Sequence, residues 1–172
     1  MLLIDTNVIS ELMRSDPAPA VLEWFGRQNA ADLHLSAVGE AELRRGAALL
    51  PMGKRRDRLM AEIDAMILED FASRVLPFDS AAAVAFAAIF VERRTVGRPI
   101  SFPDCQIAAT ARAHGAAIVT RNVSDFEGCG IRVINPGPPR QVPDRHGQTQ
   151  PLGTLRQARL NRLPHSSRCV TF

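Results

Sequence analysis

The chain has 172 residues, of which 46% are hydrophobic and 23% charged, and its formal net charge is +3. This composition is typical of one globular domain that is long enough to bury a hydrophobic core. The basic charge is local, because residues 137–172 hold six Arg against one Asp, whereas residues 1–136 hold 15 Arg or Lys against 17 Asp or Glu. The net charge is therefore weak support for nucleic-acid binding by the larger part of the chain.

The sequence predicts a soluble protein of the cytoplasm. Its three cysteines show no CxxC spacing, which argues against a disulfide framework or a zinc site and favours a reducing compartment. Asp5 interrupts the first apolar stretch too early for a signal peptide. The longest apolar run, residues 81–91, is shorter than the about 20 residues that a bilayer span needs, so no membrane association is expected.

Strands and helices are predicted to alternate along the chain. Short apolar runs predict strands at residues 1–4, 32–35, 75–78, 116–119 and 131–134. Other segments predict helices at 7–14, 19–28, 38–50, 54–72 and 103–114, with an Ala-rich helix after Asp79. Thr6, Ser36 and Asp79 are the predicted helix caps, and Gly115 is expected to end the helix at 103–114.

This alternation predicts an α/β fold with a parallel sheet that is covered on both faces. Right-handed crossovers place the carboxyl ends of all strands along one edge, where ligands bind in open sheets. After Pro136 the composition changes to Pro, Gln, Arg and Ser with few apolar residues. Residues 137–172 are therefore expected to form a basic tail that is disordered or loosely docked, with a short basic helix at 152–163.

Four acidic residues fall where this fold would bring them to the carboxyl edge of the sheet. Asp5 follows the first strand and Asp125 follows the fourth, while Glu42 and Asp104 lie in the first turns of two helices. Taken singly, each has a simpler explanation, because carboxylates also cap helices, complement the helix dipole or are merely solvated. As a set they would repel one another without a cation. Mg²⁺ is held by a few carboxylates with water and phosphate oxygens, so the set predicts a metal-dependent phosphodiesterase.

Some of these assignments have neighbouring alternatives. Glu40 lies about 160° from Glu42 around the helix axis, at 3.6 residues per turn, so only one of the two can face the site. Asn122 lies three residues before Asp125 and could reach the metal in its place. Arg121 could contact a phosphate, and a surface ion pair is an equally weighted alternative.

Other chemistries have little support. The chain has no GxSxG or GxGxxG motif, and Gly53-Lys54 lacks the rest of a phosphate-binding loop. The basic residues at 54–58 are typical of a solvated helix face, with RNA contact as the less favoured alternative. A metal-dependent phosphatase on another parallel fold often has a DxD pair after the first strand, whereas this chain has Asp5-Thr6-Asn7.

Together the motifs resemble the PIN-domain family, specifically the VapC/FitB-type toxins of prokaryotic toxin–antitoxin pairs. The matching segments are LIDTNVISEL at 3–12, LSAVGEAELRRG at 35–46, SFPDCQIAATARAHGAAIVTRNVSDFEG at 101–128 and IRVINP at 131–136. The resemblance implies a PIN-like three-layer α/β/α sandwich over residues 1–136, with a parallel sheet in the order 3-2-1-4-5. It also implies an endoribonuclease that depends on Mg²⁺, with Mn²⁺ able to substitute.

The resemblance also carries roles to individual residues. Four acids match or complete the catalytic metal-binding set of the family: Asp5, Glu42, Asp104 and, as the expected fourth, Asp125. Some members carry that fourth acid at the position of Asn122, while Thr6 and Asn7 match residues that orient the first aspartate and bound water. The implied partners are an RNA substrate (tRNA, rRNA or mRNA), a second copy in a homodimer, and a cognate DNA-binding antitoxin whose C-terminal segment covers the active site.

Two features depart from the family pattern. Phe102 and Pro103 precede Asp104 where small aliphatic residues are usual, and Pro103 is expected to be tolerated in a first helical turn. The basic tail replaces the usual ending after Asn135-Pro136. The main hypothesis is hydrolysis of RNA by metal-activated water. The alternative is a non-catalytic partner that binds an antitoxin and acts only in operon repression.

Overall fold

A computed structural model describes residues 1–137 and places a parallel five-stranded sheet at their centre. The strands are β1 (Leu2–Ile4), β2 (Leu33–Ser36), β3 (Val75–Leu76), β4 (Ala117–Val119) and β5 (Val133–Ile134). Their order is β3-β2-β1-β4-β5, with every neighbouring pair parallel. The predicted fold class and strand order are therefore confirmed.

Helices connect the strands and largely match their predicted positions. They are α1 (Thr6–Leu12), α2 (Pro19–Gly26), α3 (Ala37–Ala48), α4 (Lys54–Ala65), α5 (Ser80–Thr95), α6 (Phe102–Ala113) and α7 (Val123–Phe126). The helix predicted at 54–72 ends earlier, and Met66–Asp70 continue it as a π-helical turn. Met66 and Phe71 are both buried, and five residues of α-helix would place them about 140° apart. The wider turn brings both side chains into the core.

The helices cover both faces of the sheet, because side chains alternate along each strand. Leu2 and Ile4 of β1 point into one core, and Leu3 points into the other. The first core also takes residues from α1 to α4, such as Leu43, and the second takes residues from α5 and α6, such as Ile107. The architecture is thus the predicted three-layer α/β/α sandwich.

Side-chain caps start several helices at the carboxyl edge of the sheet. Ser36 Oγ and Asp79 Oδ1 each accept a hydrogen bond from the backbone amide three residues later, at 2.9 Å, so both predicted caps are confirmed. The prediction for Thr6 is wrong, because Asp5 occupies the cap position and Thr6 is the first helical residue. The strand ends at Ile4, so Asp5 alone forms the turn into α1.

The basic tail predicted at 137–172 lies almost wholly outside the described residues, since only Gly137 falls within them. The helix predicted at 152–163 is likewise outside the described range. Across residues 1–137, none of the helices combines the length and the apolar character that crossing a membrane would require.

Candidate active site

Asp5 and Thr120 lie side by side at the carboxyl edge of the sheet. The β1–β4 register pairs Ile4 with Val119, and the next residue of each strand forms the site. The Thr120 hydroxyl donates to Asp5 Oδ2 at 2.7 Å, and both side chains are buried. Sequence reasoning did not identify a role for Thr120. Its position directly after a strand that neighbours β1 is the signal that would have found it.

Asn7 completes a network around the same carboxylate oxygen. Its Nδ2 group donates to Asp5 Oδ2 at 2.8 Å and to Thr120 Oγ1 at 2.9 Å. Its Oδ1 atom accepts a 3.3 Å hydrogen bond from the Arg121 backbone amide, and the Asn122 amide donates to Thr120 Oγ1 at 3.0 Å. These contacts hold the Asp5 side chain in one orientation.

Helix α3 brings Glu42 to the site through the hydroxyl of Thr6. Thr6 Oγ1 lies 3.1 Å from Glu42 Oε2 and 3.3 Å from Asp5 Oδ1 and can donate to either carboxylate. Glu40 instead accepts a 2.8 Å hydrogen bond from Arg44, so Glu42 is the acid that faces the site.

Gly39 allows α3 to approach α1 this closely. A Cβ at this position would lie 3.3 Å from Thr6 Cγ2 and 3.1 Å from Ser36 Oγ. Such spacing is tighter than ordinary van der Waals contact, so a larger residue would require the neighbouring side chains to shift by a few tenths of an ångström. The small residue therefore permits the close packing of α3, which carries Glu42, against Thr6.

Asp104 is fixed by the cap of α6. Ser101 Oγ accepts a hydrogen bond from the Asp104 amide at 3.2 Å and donates to Asp104 Oδ2 at 2.5 Å. Pro103 lies in the first turn and leaves the helix intact, because an amide hydrogen is not needed there. Ser101 is a second residue that sequence reasoning missed, although a serine three residues before an acid at a helix start is a recognisable capping pattern.

The three carboxylates act on one another electrostatically. Asp5 is only 4% exposed, and this burial is the largest cause that raises its pKa. Hydrogen bonds from Thr120 and from the Thr6 backbone lower that pKa, while the charges of Asp104 and Glu42 raise it further. The fold thus places Asp5, Glu42 and Asp104 in one field of negative charge at the sheet edge.

Asp125 stands apart from this group. It lies on α7, half-buried, with its Oδ1 atom 3.5 Å from Ser124 Oγ. Within residues 1–137 no hydrogen bond joins it to the other three acids, and the neighbouring Asn122 is exposed. The structure therefore brings together three of the four predicted acids and leaves the choice between Asp125 and Asn122 as a prediction.

The donor chemistry of the site fits a hard divalent cation. Among the described residues, no three His, Cys, Asp or Glu side chains form a ready-made metal cluster. Mg²⁺ does not require one, because it keeps several water ligands and commonly takes only one or two carboxylates. A carboxylate whose pKa is raised by burial and, to a smaller extent, by two neighbouring acids is stabilised in its charged form by a positive ion, and carboxylate oxygens are the donors that Mg²⁺ prefers.

Arg121 forms an ion pair, which was one of its two predicted roles, but the pair does not lie at the surface. Its guanidinium donates to Glu11 Oε2 at 2.7 Å, with 16% of the arginine side chain and 2% of the glutamate side chain exposed. The pair is therefore largely buried, whereas the sequence suggested either a phosphate contact or a surface pair. Glu11 also accepts a 2.9 Å hydrogen bond from the Ala18 amide. This acid was missed because its close cationic partner, Arg121, lies 110 residues away in the sequence.

The two cysteines within residues 1–137 give no support to a cysteine nucleophile. Cys105 and Cys129 are free and buried. Burial raises the pKa of the Cys105 thiol to about 11 and raises that of Cys129 as well. Both groups are therefore neutral thiols at neutral pH, and the thiolate is the nucleophilic form.

Sequence comparison matches this chain to one protein family and to several of its members. The PIN domain pattern matches residues 2–127, a range that includes all four predicted acids. VapC ribonuclease Y4jK of Sinorhizobium fredii is 45% identical over 139 residues, which are 81% of this chain and 99% of that protein. Toxin FitB of Neisseria gonorrhoeae is 41% identical over 136 residues, covering 79% and 98% of the two chains. The tRNA(fMet)-specific endonuclease VapC of Shigella flexneri is 35% identical over 130 residues, covering 74% and 91%.

The fold is also similar to solved structures of proteins of the same kind as these relatives. The crystal structure of FitAcB from Neisseria gonorrhoeae gives a TM-score of 0.75 at 41% identity, covering 79% of this chain and 98% of that one. DNA-bound VapBC from Salmonella typhimurium gives a TM-score of 0.66 at 27% identity, covering 77% and 95%. The likeness therefore spans nearly the full length of these proteins.

Proposed function

The chain belongs to the PIN-domain family, and on that premise we propose that it is a Mg²⁺-dependent endoribonuclease and the toxin of a toxin–antitoxin pair. The observation that carries the proposal is the buried Asp5, which Thr120 and Asn7 hold beside Glu42 and Asp104. The relatives named as ribonucleases support hydrolysis of RNA.

We assign the metal to Asp5, Glu42 and Asp104, with Asp125 as the fourth ligand and Mn²⁺ able to replace Mg²⁺. When bound, the ion supplies Lewis-acid chemistry that activates water and offsets charge on the phosphate. Hydrolysis of the RNA phosphodiester would use water as the nucleophile, so no side chain of the protein would have to supply one.

The side chains around the acids prepare them for this task. Thr120 and Asn7 both donate to Asp5 Oδ2, while Thr6 lies between Asp5 and Glu42 and can reduce their mutual repulsion. Ser101 fixes Asp104 at the start of α6. Because these contacts exist before substrate arrives, little conformational freedom remains to be lost on binding.

The proposed substrate is tRNA, rRNA or mRNA, and the name of the Shigella relative makes tRNA the first class to test. The proposed partner is a cognate DNA-binding antitoxin, which the DNA-bound VapBC structure supports. Assembly as a homodimer and action in the cytoplasm, where these RNAs reside, belong to the same proposal.

The experiment is cleavage of total cellular RNA by the purified chain with Mg²⁺, with EDTA, and with Mn²⁺ added back. Asp5→Asn is the test variant, and Asp32→Asn is the matched control, because Asp32 is exposed and precedes β2 at the opposite edge of the sheet. We expect discrete fragments from the wild type and the control, and a loss of about 100-fold or more in the Asp5→Asn rate. Full metal-dependent cleavage by Asp5→Asn would contradict the assignment. A folded wild type without cleavage would favour the non-catalytic binding role.

A further inference from the structure

A groove leads away from the candidate active site between α1, α3 and α4. Its volume is about 940 Å³, and Thr6 and Glu42 of the site form part of its wall. Apolar side chains also line it, among them Leu43, Leu59 and Ile63. The groove is therefore continuous with the place where the scissile phosphate would lie.

Positive charge is concentrated in this groove. Five cations line it, Arg14, Arg45, Lys54, Arg55 and Arg58, whereas Glu42 is the one acid among its lining residues within the described range. These five cations are a third of the 15 Arg and Lys in residues 1–136, and acids outnumber bases in that segment. A local excess of this kind on a net acidic body attracts an anionic ligand to one face.

Two of these cations are available for such a ligand. Lys54 and Arg55 lie at the start of α4 with exposed side chains, and neither has an ion-pair partner among residues 1–137. Arg45 is only loosely paired, at 4.0 Å from Glu42, and is 68% exposed. Exposed pairs of this kind contribute little and exchange readily for other anions.

We propose that this groove binds the single-stranded RNA segment next to the scissile phosphate, with phosphates on Lys54, Arg55 and Arg45 and bases against the apolar side chains. The inference rests on the proposed function and deepens it. A phosphodiester held beside Glu42 carries a flanking phosphate on each side, and the groove opens at that residue. Contacts to phosphates place the strand without selecting its sequence.

An acidic, amphipathic peptide would also complement the cations and apolar side chains of this groove. The groove is continuous with the carboxylate cluster, which favours RNA, because a bound RNA strand must extend from the site along an adjoining surface. The test must therefore distinguish a groove that binds RNA from a groove that binds only a peptide.

The test is binding of a fluorescent single-stranded RNA oligonucleotide by Asp5→Asn chains, so that cleavage does not interfere. The groove variant is Lys54→Gln/Arg55→Gln, since Gln keeps helix propensity. The charge-matched control is Arg94→Gln/Arg132→Gln, whose exposed arginines lie outside the groove. We expect the groove variant to bind about tenfold more weakly and its slope of log affinity against log salt to fall by about 1.4, or about 0.7 for each lost phosphate contact.

Cleavage by chains that retain Asp5 gives an independent measurement. The groove variant should raise KM for a long RNA while leaving kcat at saturating RNA within about twofold, since phosphate contacts mainly position the strand. Unchanged affinity and salt slope, or an equal loss in the control, would overturn the inference. So would loss of binding to a fluorescent acidic peptide with RNA binding intact. Absence of cleavage in the wild type, with RNA still bound in the groove, would instead reject the proposed function alone.

Discussion

At the scale of the residue, Asp5 carries a charge that the fold removes from water. Because burial and the neighbouring acids raise its pKa, the folded chain keeps a proton that the unfolded chain releases near its ordinary value of 3.8. As pH rises from 3.8 to the raised pKa, the unfolded state loses that proton first, so folding stability falls and then stays lower. In EDTA, Asp5→Asn should therefore gain stability relative to the wild type across this window, measured by urea denaturation at several pH values. A difference that does not change with pH would contradict the raised pKa.

The same residue predicts how metal affects stability. Mg²⁺ at 100 times its Kd should stabilise the wild type by about 2.7 kcal/mol at pH 7, because a ligand that binds only the folded state shifts the equilibrium in its favour. Thermal unfolding with and without Mg²⁺ measures this effect. Asp32→Asn should respond like the wild type, while Asp5→Asn should show little increase in Tm. An equal increase in Asp5→Asn would place the ion elsewhere.

A substitution at Thr120 tests whether its hydroxyl orients the Asp5 carboxylate. Thr120→Val removes the hydroxyl that donates to Asp5 and accepts from Asn7 and the Asn122 amide. We expect activity to fall about 10–100-fold, as for other groups that orient metal ligands. The pKa of Asp5 should rise, since the Thr120 hydrogen bond lowers it, and the acidic limb of the pH–rate profile should move to higher pH.

Thr110→Val is the matched control for this change. Thr110 is also fully buried, but its hydroxyl donates to the Gln106 carbonyl within α6. Both variants should lose about 1–3 kcal/mol of unfolding free energy, and only Thr120→Val should move the pH–rate profile. A shift of the profile in both variants would mean that general destabilisation explains the effect.

At the scale of the element, α1 is tied to the turn after β4 by the Glu11–Arg121 pair. Arg121→Met should destabilise the chain by about 3 kcal/mol, because it removes the close cation of the buried Glu11 carboxylate and leaves it with Arg14 at 4.0 Å. Adding Glu11→Gln should restore part of this loss. Urea denaturation of the two single variants and the double variant measures the coupling. Additive losses would mean that the pair contributes no interaction energy.

Local patterns predicted the elements well, and contacts between elements poorly. The caps Ser36 and Asp79 were predictable because each bonds an amide three residues away. The roles of Thr120 and Glu11 depend on partners about 110 residues distant, which hydrophobic periodicity does not reveal. The π-helical turn at Met66–Asp70 was missed because α and π turns share the same local composition.

At the scale of the whole molecule, the alternation of strands and helices predicts a parallel sheet and therefore a single edge for the site. The strand order followed from the family resemblance, since periodicity does not say which strands are neighbours. The gathering of Asp5, Glu42 and Asp104 was predicted from their positions at that edge. The groove was not predicted, because its cations come from α3, α4 and the turn after α1, and no local pattern specifies how these segments pack together.

The distribution of charge along the chain leads to a further prediction. A chain that ends at Gly137 keeps the sheet and both cores, so its unfolding free energy should match that of the full chain within about 0.5 kcal/mol. It loses six Arg and one Asp, and its net charge falls from +3 to −2. Because long-range attraction follows net charge, its affinity for RNA at low salt should fall, while kcat at saturating RNA stays unchanged. The groove cations remain in the shortened chain, so a measurable salt slope should persist; its complete loss would assign RNA binding to the tail instead of the groove.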